Sequence, residues 1–443
     1  MHACRSRHRI PGPLASPVGS HYGESLRMGV RGKKTGLWLV GAGGGIGSTV
    51  AIGLAALRKG LASPGALVTA LPEFAELGLV RPADIVLGGH EIRGQTLLDS
   101  VQESHALAEL FDERLIAACT SGLRAMQRNI RPGCMLGTNQ TIRAMATDGS
   151  FETPSDRSPA AAIERLAHDL TAFRRQHKLA DVVVVNVASS EPPAQRSATH
   201  DSYRKLARSL SNGTGRSLPA SSIYALAALE AGCTYINFTP SVGIALPALV
   251  ERAEQVGALY MGRDGKTGET LVKSVLAPLF VMRNLRVLSW VGHNILGNRD
   301  GLVLADPRNK AEKIKSKDQL LPRIFGYKPD THVSIEYVRS LSDWKVAWDF
   351  IHFEGFLGTR MSLQFVWQGS DSLLAAPLVI DLVRLAALAR QRGETGCMRH
   401  LACFFKSPMG VDEQDYFSQW RRLLEHLGIN GRRGAESAEG LST

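Results

Sequence analysis

Four short apolar runs punctuate the first half of the chain, and each is followed by turn residues. Residues 35–60, TGLWLVGAGGGIGSTVAIGLAALRKG, read as a strand, a glycine turn and a helix. DIVLGG (84–89), DVVVVNVA (181–188) and TYINFTP (234–240) read as further buried strands. Between them, apolar positions recur at helical spacing over 97–110, 160–176 and 221–231. Strands alternating with helices predict a parallel sheet covered on both faces.

Beyond about residue 275 the period changes. THVSIEYVRSL and RMSLQFVWQG alternate apolar and polar residues. That pattern predicts strands with one buried face, in an antiparallel or mixed sheet. GHNILGNRDG (292–301) follows the apolar run 287–291 and reads as a loop dense in amides and charge. DSLLAAPLVIDLVRLAALARQRG then returns to a long helix. The polar ends, residues 1–34 and 431–443, read as disordered tails.

Composition adds limits. With 443 residues, 44% hydrophobic and 21% charged, the chain has room for two or three domains. The net charge of +11 invites a nucleic-acid reading, but residues 1–34 carry seven Lys/Arg against one acid, Glu24. The remaining body is only mildly basic and fits a binder of small anions equally well. Neither zinc-ligand spacing nor a nucleic-acid-binding signature occurs, so neither partner is expected, and no metal. The six cysteines form no C-x-x-C pair, which suggests free thiols in a reducing, cytoplasmic setting. The apolar stretch Leu373–Ala389 carries Asp381 and Arg384 and reads as a core helix rather than a membrane span.

Two sets of residues suggest chemistry. In the glycine turn, Gly41, Gly43, Gly44 and Gly47 lie between strand and helix, with Gly45 and Ile46 inside the turn. Glycines let a pyrophosphate approach the backbone, and the following helix start attracts an anion. A purely structural strand–helix turn is the alternative. The usual ribose-binding acid would be Glu91, at the end of the second strand, unless that residue is a solvated loop acid. The second set is rich in lysine. GRDGKTGETLVKS opens a helix at Thr267, Gly268, Glu269 and Thr270, a phosphate-site pattern. Lys313 and Lys317 are four apart, Asp343 lies two residues before Lys345, and Lys406 follows Phe404 and Phe405. Partial desolvation beside those rings would make Lys406 a usable acid or base. Any one of these lysines taken alone reads as a surface residue.

Taken together, GAGGGIGST, YINFTPSVGIALP, GRDGKTGETLVKSVLAPLF, GHNILGNRDG, SDWKVAWDF and DSLLAAPLVIDL resemble the myo-inositol-1-phosphate synthase family over about residues 35–410. The resemblance implies an α/β fold: an NAD-binding Rossmann domain with an inserted α+β mixed-sheet domain that catalyses and drives assembly to a homotetramer. The implied divisions are a tail (1–34), the Rossmann domain (35–273), the inserted domain (274–373), C-terminal helices completing the Rossmann domain (374–430) and a second tail (431–443). The implied activity converts glucose 6-phosphate to inositol 3-phosphate with tightly held NAD, through oxidation at C5, enolisation, intramolecular aldol closure and re-reduction. Carried over by position, Lys313, Lys317, Lys345 and Lys406 surround the sugar, with Asp264 and Asp371 orienting them. Gly41, Gly43, Gly44, Gly45, Ile46, Gly47, Glu91, Asp300 and Asp343 face the cofactor. Thr267, Gly268, Glu269, Thr270, Asn294 and Asn298 face the substrate.

The chain departs from that family pattern at Gly45-Ile46, Phe238-Thr239, Glu269, Arg299 and Glu91. An acid at 269 would repel a phosphate unless its side chain turns away and only its N–H contributes. The departures keep another reading open, an NAD-dependent oxidoreductase or cyclase acting on a different sugar phosphate, and the basic N-terminus keeps open a third, a binding or regulatory protein.

Overall fold

The computed structural model describes residues 34–146, 156–195, 197–213, 218–298, 301–302 and 320–429. Both predicted tails lie outside these residues, apart from Lys34. So do Asp300, Lys313 and Lys317.

The larger sheet has seven parallel strands: β1 (Thr35–Val40), β2 (Ile85–Glu91), β3 (Ile130–Pro132), β4 (Asp181–Asn186), β5 (Thr234–Asn237), β6 (Leu259–Gly262) and β11 (Gly396–Cys397). Their spatial order is β11-β6-β5-β4-β1-β2-β3. Strand order therefore reverses between β1 and β4, the crevice in which doubly wound sheets bind ligands. Alternation along the strands feeds two cores. Leu37, Leu39, Val183 and Val185 enter one, against the helices Gly45–Lys59 and Asp371–Gln391. Trp38, Val40, Val182 and Val184 enter the other, against the helices Pro159–His177 and Ala220–Glu230. With both faces buried, the strands read as continuous apolar runs.

The helix Asp371–Gln391 is long and apolar enough to cross a membrane, but most of it is buried within the fold. Its charges are satisfied there. Asp381 accepts from the Val68 and Thr69 N–H groups, at 2.7 and 3.0 Å, and Arg384 donates to the Val80 carbonyl at 2.9 Å.

The second sheet has four strands: β7 (Arg286–Leu296), β8 (Asp330–Tyr337), β9 (Trp344–Glu354) and β10 (Arg360–Ser370), in the order β10-β9-β7-β8. Only the β7–β8 pairing is parallel, so the sheet is mixed. One face buries Val287, Trp290 and Ile351 against Phe280 and Ala277 of the helix Gly268–Met282. The other face leaves Trp348 and Val366 exposed.

Here the structure corrects one reading of the sequence. Gly292 to Leu296 do not form a loop but continue β7, because this is an interior strand that pairs with β8 on one side and β9 on the other. Ladder hydrogen bonds on both edges override the polar composition. The side chains then alternate: His293 is exposed and stacks on Trp348 at 5.6 Å, whereas Asn294 is buried.

Candidate functional site

One cavity of about 860 Å³ lies over the carboxyl ends of the parallel strands and reaches the second sheet. Gly41, Gly43, Gly44, Gly45 and Ile46 line one part of it, and Glu91 follows at the end of β2. Asp264, Thr267, Asn298, Asp343, Asp371 and Lys406 line the rest.

The glycine turn is built for close approach. A Cβ on Gly47 would sit 2.3 Å from the Ala42 carbonyl oxygen, so only glycine lets the helix start this near β1. That helix, Gly45–Lys59, has Gly44 at its N-cap and no side-chain cap. The first-turn N–H groups of any helix lack intrahelical acceptors, so this end offers donors and positive potential to an anion. Glu91 is buried and is not a solvated loop acid. Its carboxylate accepts from the N–H groups of Gly43, Ile92 and Arg93, at 2.6, 2.9 and 3.1 Å. It therefore ties the turn to β2 while facing the cavity. Arg93, which the sequence reading passed over, donates to the Gly43 carbonyl and to Gln95. These features fit a dinucleotide: bare backbone at the turn, an uncapped helix start, and an acid at the end of the neighbouring strand.

Antiparallel pairing creates the opposite side of the cavity. After β6 the chain runs alongside residues 404–407: Lys406 N–H donates to the Asp264 carbonyl at 2.7 Å, and Lys266 N–H donates to the Phe404 carbonyl at 2.8 Å. Between them Gly265 bridges Phe405. A Cβ on Gly265 would meet the Phe238 ring at 2.1 Å, so the close pairing depends on glycine here. The bridge brings the Lys406 ammonium within 2.8 Å of the Asp264 carboxylate, with both side chains buried. Lys266 points away from the cavity, and its ammonium donates to the Gln419 side-chain amide oxygen Oε1 at 2.7 Å. Burial pulls this amine down to about 8.

Thr267 is the N-cap of the helix Gly268–Met282 and makes no side-chain cap bond. Gly268, Glu269 and Thr270 form its first turn, which therefore has N–H groups to offer a phosphate. The Glu269 side chain turns away from that end: its carboxylate meets the Lys273 ammonium at 2.6 Å. Lys273 also contacts Asp349 at 3.1 Å, and Trp290 donates to the same Asp349 oxygen at 2.7 Å. All three charged groups are buried. Burial raises the Asp349 carboxyl above its ordinary range, with Lys273 opposing. For Lys273 burial acts downward, but the two carboxylates outweigh it and the net shift is upward.

The second sheet brings Lys345, on β9, within 3.3 Å of Asp371, the first residue of the helix Asp371–Gln391. Asp343 accepts from the hydroxyls of Ser370 and Ser372 and from the Asn298 amide. Burial raises its carboxyl, and these three donors pull the other way. Ser372 also packs under Gly45, where a Cβ would lie 2.6 Å from its hydroxyl, so this helix start joins the glycine turn to the second sheet. Asn294 donates to the Ser334 carbonyl at 3.4 Å and does not line the cavity, and neither does Lys345. The described residues thus bring Lys406, Asp264, Thr267, Asp371, Asp343 and Asn298 to one cavity with the glycine turn.

The model of the family described as myo-inositol-1-phosphate synthase matches residues 67–427. Inositol-3-phosphate synthase 1 of Bacteroides thetaiotaomicron is 32% identical over 89% of this chain and 95% of its own length. The inositol-3-phosphate synthase of Saccharomyces cerevisiae is 30% identical over 79% of this chain and 73% of its own. The fold is similar to that of inositol-3-phosphate synthase from Caenorhabditis elegans, with a TM-score of 0.79 and 24% identity over 90% of this chain and 86% of that one. A match this long to the family model, together with a relative aligned over nearly its full length, means that the chain belongs to the myo-inositol-1-phosphate synthase family.

Proposed function

We propose that the chain is an NAD-dependent isomerase that converts glucose 6-phosphate to inositol 3-phosphate in this cavity. The observation that carries the reading is the shared space. The uncapped helix behind the glycine turn, the uncapped helix after Thr267 and the Lys406–Asp264 pair all adjoin one volume. When bound, NAD supplies hydride transfer to and from C5 of the sugar. The chain's own groups do the remaining work. The glycine turn and Gly45–Ile46 hold the pyrophosphate, and Glu91 takes the adenosine ribose. Thr267 and the N–H groups of Gly268, Glu269 and Thr270 hold the sugar phosphate. The Glu269–Lys273 contact supports this site, because it removes the acid's charge from the helix start.

The Lys406 ammonium, held by Asp264, is placed to stabilise the enolate and aldol oxyanions. Removing one such donor costs on the order of a hundred- to a thousandfold in rate. Lys345 does not line the cavity itself but is held 3.3 Å from Asp371, which does, and it keeps the role that the family resemblance implies. Asp343 and Asn298 form the wall where cofactor and sugar meet. Holding both carbonyl carbons in one bound molecule supplies proximity for ring closure. Lys313, Lys317 and Asp300 keep the roles that the family resemblance implies, outside the described residues, and Asn294 remains a proposed substrate-side amide. The exposed face of the second sheet, with Trp348 and Val366, fits burial in a homotetramer, and the free cysteines fit a cytoplasmic protein.

The test supplies purified protein with NAD and glucose 6-phosphate, then measures inositol phosphate and NADH absorbance together. Product without accumulating NADH is expected. Stoichiometric NADH release, or turnover of a different phosphosugar only, overturns the assignment.

A further inference from the structure

One acid in the cavity wall has no part in the chemistry above. Glu191 follows β4 by five residues, lines the cavity and is 5% exposed. Its carboxylate accepts from the Ser221 N–H at 2.8 Å and from the Ser221 hydroxyl, at the start of the helix Ala220–Glu230. Its own N–H donates to the Ser241 hydroxyl at 3.0 Å, in the loop after β5. Ser221 is in turn held by the Gly243 N–H at 3.1 Å. Among the described residues no lysine, arginine or histidine forms an ion pair with Glu191, whereas Asp264 and Asp371 each have a lysine. Among the described residues, the fold thus places a carboxyl in the wall and fixes it with neutral donors only.

Its position gives it an electrostatic partner. In a doubly wound sheet the dinucleotide lies across the β1/β4 reversal, with the acid after the second strand on the adenosine ribose. Glu91 marks that side here. The nicotinamide half then faces the loops after β4 and β5, which carry Glu191 and Ser241. The oxidised nicotinamide ring is a cation and the reduced ring is neutral, so a nearby carboxylate distinguishes the two states by charge.

We infer that Glu191 is a cofactor-state determinant: its carboxylate makes the cavity hold oxidised dinucleotide in preference to reduced. The inference rests on the NAD reading above. A buried acid without a cation is costly, and its retention in the wall has a physical purpose if the ligand brings the positive charge. Burial pushes the carboxyl up to about 7, and Ser221 pulls it back through its hydroxyl and N–H. At pH 8 the group is ionised. At an effective dielectric of about 20, two unit charges about 10 Å apart change binding by on the order of tenfold.

The experiment measures the dissociation constants of NAD and of NADH at pH 8 and above by calorimetry, for the full chain and for the variants Glu191→Gln and Ser221→Ala. Glutamine keeps an acceptor for Ser221 and removes the charge. The expected result is weaker NAD binding by about tenfold in Glu191→Gln with NADH binding nearly unchanged. Ser221→Ala removes a donor that holds the carboxyl down, so its preference should weaken at pH 8 and return as pH rises, which Glu191→Gln should not do. Equal loss for both cofactors in Glu191→Gln, or a preference in Ser221→Ala that fails to return at higher pH, means that Glu191 only braces the loop, and the inference fails. A wild-type protein that binds neither cofactor overturns the NAD reading itself, which is a separate failure.

Discussion

Replacing Lys273 by methionine should destabilise the protein far more than replacing Glu269 by glutamine, although both residues belong to one ion cluster. The Lys273 ammonium lies 2.6 Å from Glu269 and 3.1 Å from Asp349, and all three are at most 2% exposed. Two carboxylates therefore share one cation, with Trp290 donating to Asp349. Lys273→Met leaves both acids buried without a counter-charge, and removing one partner of a buried pair costs about 3–5 kcal/mol. Glu269→Gln leaves the Lys273–Asp349 pair balanced one to one, so its cost should stay below about 1 kcal/mol. Isothermal urea unfolding followed by tryptophan fluorescence, at one protein concentration, gives the two midpoints side by side. Since the Glu269 side chain is turned from the helix start, Glu269→Gln should also leave the KM for glucose 6-phosphate within about twofold. A Lys273→Met protein as stable as the parent, or a Glu269→Gln protein that loses more stability than Lys273→Met, would refute the charge accounting.

Three further outcomes follow from the same geometry. Lys406→Met should lower kcat by about a hundredfold or more. Adding Asp264→Asn should recover thermal stability, by removing the stranded acid, without recovering turnover; recovered turnover would show that Lys406 acts only through Asp264. Gly265→Ala should cost about 1–3 kcal/mol in unfolding free energy, because its Cβ would meet Phe238 at 2.1 Å and pry open the bridge to Phe405. Finally, His400 is held at about 3, first by burial and then by the neighbouring His426 and Arg392. An unfolded histidine titrates near 6.5, so the native state binds fewer protons between these values. The contribution is complete above pH 6.5 and is lost as pH falls toward 3, so His400→Leu should flatten that part of a stability–pH curve.

Much of this protein could be read along the chain. The buried runs at β1, β2, β4 and β5 and the helical spacing between them specify a doubly wound sheet, because a parallel strand buried on both faces must be apolar throughout. Glycines after β1 and hydroxyl-bearing turn residues at Thr267 mark helix starts with N–H groups to offer, a property local to the backbone. The interior status of β7 was not legible. Its last residues look like loop, and only the neighbours β8 and β9 supply the hydrogen bonds that make them strand. Nor could sequence pair Lys406 with Asp264, which are 142 positions apart and joined by a bridge that Gly265 permits. The fate of the Glu269 charge was decided the same way, by Lys273 one turn along and Asp349 from another strand. Local periodicity depends on near neighbours and so survives in one dimension. Which charge meets which, and which acid is left to face a ligand, depends on contacts between distant segments that exist only once the sheets have packed.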